Sequence, residues 1–329
     1  MDKAKTKRIL WKVLEIREIG AALPLLIAVI LFASKSDKLL TWDNMINVLR
    51  IASFTMICAI GESYLLLSGS WDISIGAVYS LGGVVAGMAM TTYGLPIWLS
   101  IVIALAAGCI IGVVNAFLVQ KLDMPAFVAT IGTQFIAKGL VQGVTKGTPV
   151  YPLPEAFLGV GQDNLQIGSI GIPWVVVIAV VLSVIAGLVL KYTTYGRKIY
   201  AVGGNGEAAR LAGIPTDKIR YSAFILSGLM ASLTGVLMAS RLGSAQTNIG
   251  SGCEMSVIAG AVIGGISMDG GAGTIFGMAL GAFFMALITN GMTLIKISAT
   301  WQTMVTGAIL ILACSLEYLR NSLKASLNS

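Results

Sequence analysis

The chain has 329 residues, of which 56% are apolar and only 11% charged, and it carries a formal net charge of +7 with no histidine. Its mean hydropathy is +0.87, and an average soluble domain is about 25% charged, so a soluble globular protein is excluded and an integral membrane protein is indicated. Without histidine the commonest general base and the Ser-His-Asp arrangement are both missing, so a hydrolase would lack its usual machinery.

Apolar runs separated by short polar breaks predict ten membrane spans, over 19–35, 45–68, 73–92, 95–119, 125–145, 172–192, 221–242, 253–268, 272–294 and 299–318. Most approach the roughly 20 residues that cross the hydrocarbon at about 1.5 Å per residue. The 253–268 run is short enough to be broken or tilted. The expected fold class is all-α, one polytopic transmembrane domain over 19–318. Residues 1–18 are charged and precede a span with no small-residue cleavage site, so they read as a cytoplasmic tail that is retained. A second cytoplasmic tail is expected over 319–329.

Orientation follows from cationic residues, which are held on the cytoplasmic side. With both termini inside, fifteen of the 22 Lys and Arg residues fall on that side, five on the other and two within spans. Six of the fifteen lie in the longest inner loop, 193–220 with its flanks. Topology and attraction to anionic membrane lipid account for the positive charge, and no nucleic-acid partner is needed.

Cys58, Cys109 and Cys314 lie within apolar runs and Cys253 near an expected outer boundary. Their spacing supports neither a disulfide framework nor a zinc site, and no cofactor or metal is implied. Ser227, Ala231, Gly235 and Ala239 recur every four residues, as do Gly273, Gly277 and Gly281. Small residues on one helix face let backbones approach closely, through which helices associate in lipid.

Asp72 and Asp269 each sit in a Ser-x-Asp element at a glycine-flanked inner break. Each carboxylate can cap the following helix, and the two similar breaks hint at an internal repeat. Glu62 falls well inside a span, where an unpaired carboxylate costs at least about 2.5 kcal/mol. It is expected to face protein or water, with Lys138 a candidate partner. Thr130, Gln134, Gln142 and Asn290 add neutral polarity within spans. They suit hydrogen bonds to a hydroxyl-rich solute or simply between helices. Glu62, Asp72, Thr130, Gln134 and Asn290 are the candidate residues of a translocation path.

The stretch YGRKIYAVGGNGEAARLAGI, Tyr195 to Ile214, has the glycine pattern of a dinucleotide-binding turn after a short β-like run. Such a turn needs a second strand and an acidic residue about 20 positions on, whereas here Asp217 comes too early and a span begins at Tyr221. The stretch instead predicts a short helix over 205–212. Asn205 can cap it, Glu207 complements its dipole, Gly213 can close it in the left-handed region and Pro215 prevents its continuation. A helix this short is marginal in water, so it must lean on something. Ala208, Ala209, Leu211 and Ala212 are expected to supply small apolar contacts for a partner's groove, with Arg210 projecting elsewhere.

GRKIYAVGGNGEAARLAGI, the following SGLMASLTGVLMASRLGSAQ, IAGAVIGGISMDGGAGTIFGMALGA and the earlier LLLSGSWDISIG together resemble the membrane permease of bacterial ABC importers of the ribose and monosaccharide type. The resemblance runs from about residue 45 to 318. It implies that 193–220 is the cytoplasmic coupling loop that seats on an ATPase subunit, with Gly203, Asn205, Glu207, Ala208, Ala209, Arg210 and Gly213 at the matching positions. It also implies an ATP-hydrolysing partner, a periplasmic or secreted solute-binding protein and a second permease copy, identical or different. The chain departs from the family's usual GGIDLSVG at Ser70 and Trp71, and Gly206 stands where proline is frequent. The expected function is passage of a small polar solute, a monosaccharide or sugar-like molecule, driven by ATP hydrolysis on the partner. An ion-coupled secondary transporter is the alternative.

Overall fold

The computed structural model describes residues 19–168 and 170–328. The expected tail 1–18 lies outside the described residues. Ten helices coincide closely with the ten expected spans: α1 (Ile19–Ala33), α2 (Trp42–Leu67), α3 (Ile75–Thr91), α4 (Ile97–Lys121), α5 (Ala126–Thr145), α7 (Trp174–Tyr192), α10 (Thr216–Leu242), α11 (Cys253–Ile263), α12 (Ile275–Leu294) and α13 (Ala299–Asn328). The last helix continues through the segment expected as a tail.

Five of these, α2, α4, α7, α10 and α12, are long and apolar enough to cross a membrane, and α1, α3, α11 and α13 contain shorter apolar stretches. α5 has 20 residues but is not among either group, because Gln134, Lys138 and Gln142 interrupt its apolar surface.

Prolines mark where helices begin. Five of the eight prolines, at 96, 125, 154, 173 and 215, stand immediately before α4, α5, α6, α7 and α10. A residue with fixed φ and no N–H suits the position just outside a helix. α6 (Glu155–Gln162) and a two-stranded antiparallel hairpin, β1 (Asn164–Ile167) and β2 (Ile170–Pro173), fill the 146–173 connection, for which the sequence reading named no element. The hairpin is the only departure from an all-α architecture among the described residues.

α10 lies at the centre, packed by α2, α3 and α4. Its small residues allow this on several sides. Ser227 meets Gly61 of α2, Gly228 meets Gly108 of α4, and Gly235 meets the Tyr79–Gly83 turn of α3. α12 packs on α2 and α11, α1 lies against α12, and α13 covers α11. Outward faces of α1 and α7 expose leucine, isoleucine and valine, including Leu26, Ile30, Val181, Ile185 and Leu188, as lipid-facing helices require.

Two helices begin inside the bundle. After α2 the chain turns back on itself, and Asp72 reaches Ser227 while Gly82 faces Ser232, so α3 starts level with the middle of α10. From the opposite end, residues 243–252 run inward without helical structure until Gly250 N–H donates to Ser80 Oγ at 3.1 Å. α11 therefore starts at the same depth, and Cys253 at its head meets Cys58 of α2. The expected outer position of Cys253 is corrected by this re-entry.

Candidate functional site

Three features carry chemistry. The first is the segment between α7 and α10. It forms α8 (Thr194–Gly204) and α9 (Gly206–Leu211), so the run before the glycines is helical and not β-like, and a strand-turn-helix nucleotide site is absent. Thr193 caps α8 through a 3.1 Å bond from Gly196 N–H. Asn205 Oδ1 caps α9 by accepting from Ala208 N–H at 2.9 Å. Gly213 closes α9 with φ +80°, where a side chain would be strained. Glu207 lies in the first turn of α9, where its charge complements the helix dipole.

Ala209 was expected among the outward contacts, but it is only 5% exposed and turned toward the permease's own core. At a spacing of about 3.6 residues per turn it cannot share a face with Leu211. Leu211 is 85% exposed, and Ala208, Arg210 and Ala212 are exposed beside it.

α8 is anchored to the inner breaks. Tyr200 donates to Gly273 O at 2.8 Å, Arg220 Nε donates to Ser68 O at 3.3 Å, and Tyr195 shares a 2.6 Å bond with Ser222. Burial raises the Tyr195 phenol above its ordinary range and the Ser222 bond opposes the shift, so this contact is between neutral hydroxyls at any physiological pH. Gly203 sits where both breaks converge: a Cβ on it would strike Leu67 O and lie 2.5 Å from Gly271 N. Gly271 N–H itself donates to Leu67 O at 2.9 Å, and Gly270 lies against both Gly69 and Gly203. The two glycine-flanked breaks thus meet each other and the end of α8 at one backbone junction.

The second feature is a buried polar cluster. Asp72 Oδ1 accepts from Ser74 N–H at 2.9 Å and Ser74 Oγ at 2.5 Å, and from Asn115 Nδ2 at 3.3 Å. Its Oδ2 accepts from Ser227 Oγ at 3.1 Å. Thr133 donates to Asn115 Oδ1 at 2.6 Å, and Glu62 Oε1 accepts the Asp72 N–H at 3.2 Å. Five chain segments are thereby joined at the start of α3. The capping expectation for Asp72 is corrected: Ser74 is the N-cap of α3 and no side chain caps that helix, and Asp72, buried well inside the bundle, instead binds Ser74 in the turn before it, whereas Asp269 is exposed. Trp71 packs against the core.

The expected Glu62–Lys138 pairing is not found. Glu62 turns to Asp72, and Lys138 lines a cavity with Glu254. Ser74, Asn115, Thr133 and Ser227 were missed, although a buried asparagine in an apolar run is a signal that could have found the cluster. Thr130 bonds back to Ala126 O at 2.8 Å within its own helix. Asn290 pairs reciprocally with Asn44 at 3.0 Å, joining α12 to α2.

The third feature is a pair of cavities flanking the head of α11. One, of about 370 Å³, lies among α2, α3, α10, α11 and α12 and includes Cys58, Tyr79, Arg241 and Cys253. The other, of about 220 Å³, is lined by Gly76 and Ser80 of α3, Gln134 and Lys138 of α5, and Asn248, Ser251 and Glu254 of the re-entrant segment. Of the expected path residues, only Gln134 lines either of these cavities. Glu254 was missed because its span was drawn as though it began at the outer surface.

A bundle of long apolar helices with two half-helices starting at its centre, and a helical segment tied by backbone contacts to its inner breaks, defines a multi-pass membrane transport protein. Residues 44–314 match the family described as branched-chain amino acid transport system / permease component. The xylose transport system permease protein of Escherichia coli K12 is 30% identical, with 88% of each chain covered. The autoinducer 2 import system permease protein of Photorhabdus luminescens is 34% identical, covering 90% of this chain and 88% of that one. The ribose import permease protein of Haemophilus influenzae is 34% identical over 82% and 84%. No solved structure matches. The chain belongs to this family of permease subunits of ABC importers and is a multi-pass protein of the bacterial inner membrane.

Proposed function

We propose that the chain forms the membrane path of an importer for a monosaccharide or closely similar sugar-like solute, delivered by a periplasmic or secreted binding protein and driven by ATP hydrolysis on separate ATPase subunits. Relatives named for xylose, ribose and autoinducer 2 support the solute class. An ion-coupled transporter has no comparable support. The observation that carries the coupling role is the exposed α9 face joined rigidly to both inner breaks. A displacement imposed on Leu211 reaches Gly203, and from there the ends of α2 and α11–α12, without crossing a flexible linker.

Both termini and the 193–220 loop are cytoplasmic in this reading. The loop charge asymmetry supports it, as does the 4.0 Å approach of Lys121 to Asp217, which puts the end of α4 and the start of α10 on one face. Cysteine reporters at Gly206 and Gln162 are expected to react with impermeant reagents from the cytoplasmic and the outer side respectively. Labelling of Gly206→Cys from outside would overturn the orientation.

A second permease copy, identical or homologous, would face α5. A Cβ on Gly132, Gly139 or Gly143 meets nothing within 4 Å, and Lys138 and Gln142 are exposed beside them. Polar residues in a span face protein or water and not lipid, so this helix borders the path between copies while α1 and α7 face lipid.

Docking is tested by two substitutions on one short helix. Leu211→Asp places a carboxylate at an exposed site, so folding is unaffected, but in a desolvated contact an unpaired charge costs several kcal/mol. Co-purification of the ATPase should fall at least tenfold while permease yield is unchanged. Ala209→Asp puts the same charge into the permease's own packing, and yield itself should fall. Full ATPase retention by Leu211→Asp would remove α9 from the contact.

A further inference from the structure

The 220 Å³ cavity lies where the heads of α3 and α11 meet, at the depth of the middle of α10. Two half-helices therefore direct their N-terminal N–H groups and positive ends into one small volume at the centre of the bundle. Glu254 stands in the first turn of α11 and is 8% exposed. Its Oε1 accepts from Gln134 Nε2 at 3.3 Å, while its Oε2 is buried with no hydrogen-bond partner among the described residues. That atom points at the first turn of α3: a Cβ on Gly76 would collide with it. A buried, unpartnered carboxylate oxygen is costly, and the residue that carries it lines the cavity.

The remaining lining decides what the cavity can take. Lys138 lines the cavity together with Glu254, and Ser80, Gln134, Asn248 and Ser251 add hydroxyl and amide groups that both donate and accept. The lining thus carries one cationic and one acidic side chain, which disfavours an ion of either sign. No cluster of three or more His, Cys, Asp or Glu side chains fit for a metal occurs among the described residues. The one unsatisfied atom is an acceptor, which calls for a donor. A neutral polyol supplies hydroxyl donors to Glu254 and acceptors to Lys138 and the amides. Drug-sized ligands occupy pockets of about 300–1,000 Å³, so a 220 Å³ cavity fits a smaller molecule.

Access follows from the backbone. Residues 247–252 are irregular at this depth, and Asn248 and Ser251 are exposed on the side of α5. Irregular backbone at membrane depth occurs only inside protein or beside a water-filled cavity, so this mouth opens on the aqueous path.

We propose that the pocket formed by Ser80, Gln134, Lys138, Asn248, Ser251 and Glu254 is a solute-contact site at the membrane centre, which takes one monosaccharide-sized polyol in transit, and that Glu254 is its specificity-determining acceptor. This rests on the importer reading above and locates the step at which the permease itself, and not the binding protein, discriminates between solutes. The Glu254 carboxylate accepts a solute hydroxyl on turning from Gly76 into the cavity, and Lys138 and Gln134 donate to solute oxygens.

The test uses the complete importer, permease with its ATPase and binding protein, in proteoliposomes. Uptake of labelled D-ribose, D-xylose and D-glucose is measured in parallel with ATP hydrolysis. Glu254→Gln keeps the shape but replaces the accepting oxygen with a donor in one amide orientation. Because a hydrogen bond to a charged group is worth roughly tenfold or more, uptake of the preferred sugar should fall about tenfold and the ranking of the three sugars should change. Asn248→Ala combined with Ser251→Ala alters only the exposed rim, so it folds regardless of Glu254, and it should also change the relative rates. Unchanged relative uptake in both variants would overturn the site while leaving the importer reading intact. Absence of stimulated hydrolysis in the wild type would overturn the importer reading itself, and hydrolysis without uptake of any of the three sugars would overturn the polyol assignment.

Discussion

Gly203→Ala is expected to abolish coupling and to lower permease yield sharply, whereas Gly204→Ala, one residue along the same helix, should be tolerated. Both glycines end α8, and intrinsic helix preference favours alanine at each by about 1 kcal/mol. Their surroundings decide the outcome. A Cβ at 203 lies within a bond length or two of Leu67 O, 2.5 Å from Gly271 N and 2.8 Å from Leu67 C. All three are backbone atoms, so no rotamer change relieves the overlap. The only relief is to push α8 away from both breaks, which would also break the Tyr200–Gly273 bond. A Cβ at 204 meets nothing within 4 Å. Thermal stability of the purified permease and solute-stimulated ATP hydrolysis of the assembled importer should both separate the two variants. Normal coupling in Gly203→Ala would show that the junction transmits nothing.

The helical class was legible because apolar runs leave few alternatives: backbone groups in lipid must be satisfied within the segment, and five of the helices are long and apolar enough to cross a membrane. The α9 cap was legible because Asn205, Glu207, Gly213 and Pro215 each act on the neighbouring backbone. Ala209 was not. Which face of a six-residue helix turns inward depends on α10 and on Arg220 beneath it, and the sequence of the helix alone offers small residues on every side. Depth was the other failure. Cys253 was assigned to an outer boundary and Glu254 passed over because a hydropathy window follows chain order, and the inward excursion of 243–252 is drawn by Ser80, some 170 residues away. The Asp72 cluster failed for the same reason: Asn115, Thr133 and Ser227 read as ordinary polar interruptions until packing brings them to one carboxylate.

That cluster gives the second large expected effect. Asp72→Ala should destabilise the permease by about 3 kcal/mol or more, because it orphans buried donors that each cost about 1–3 kcal/mol when unpaired. The donors are Ser74 N–H, the Ser74 hydroxyl, the Asn115 amide and the Ser227 hydroxyl. They belong to the turn before α3, to α4 and to α10, so their loss loosens the head of α3 from the bundle and frees the first wall of the central pocket. Asp72→Asn keeps one accepting oxygen and nearly the same volume, and it should recover most of the loss by retaining the Ser74 bonds. Glu62 ranks below it, since it accepts one bond, from the Asp72 N–H. Glu62→Gln should preserve that bond and Glu62→Leu should not, leaving a smaller gap between the two than at position 72. Thermal unfolding in detergent or nanodiscs gives the order directly. Stability of Asp72→Ala equal to wild type would mean that water or a relaxed backbone satisfies the orphaned donors, and the carboxylate would then have to be retained for transport and not for the fold.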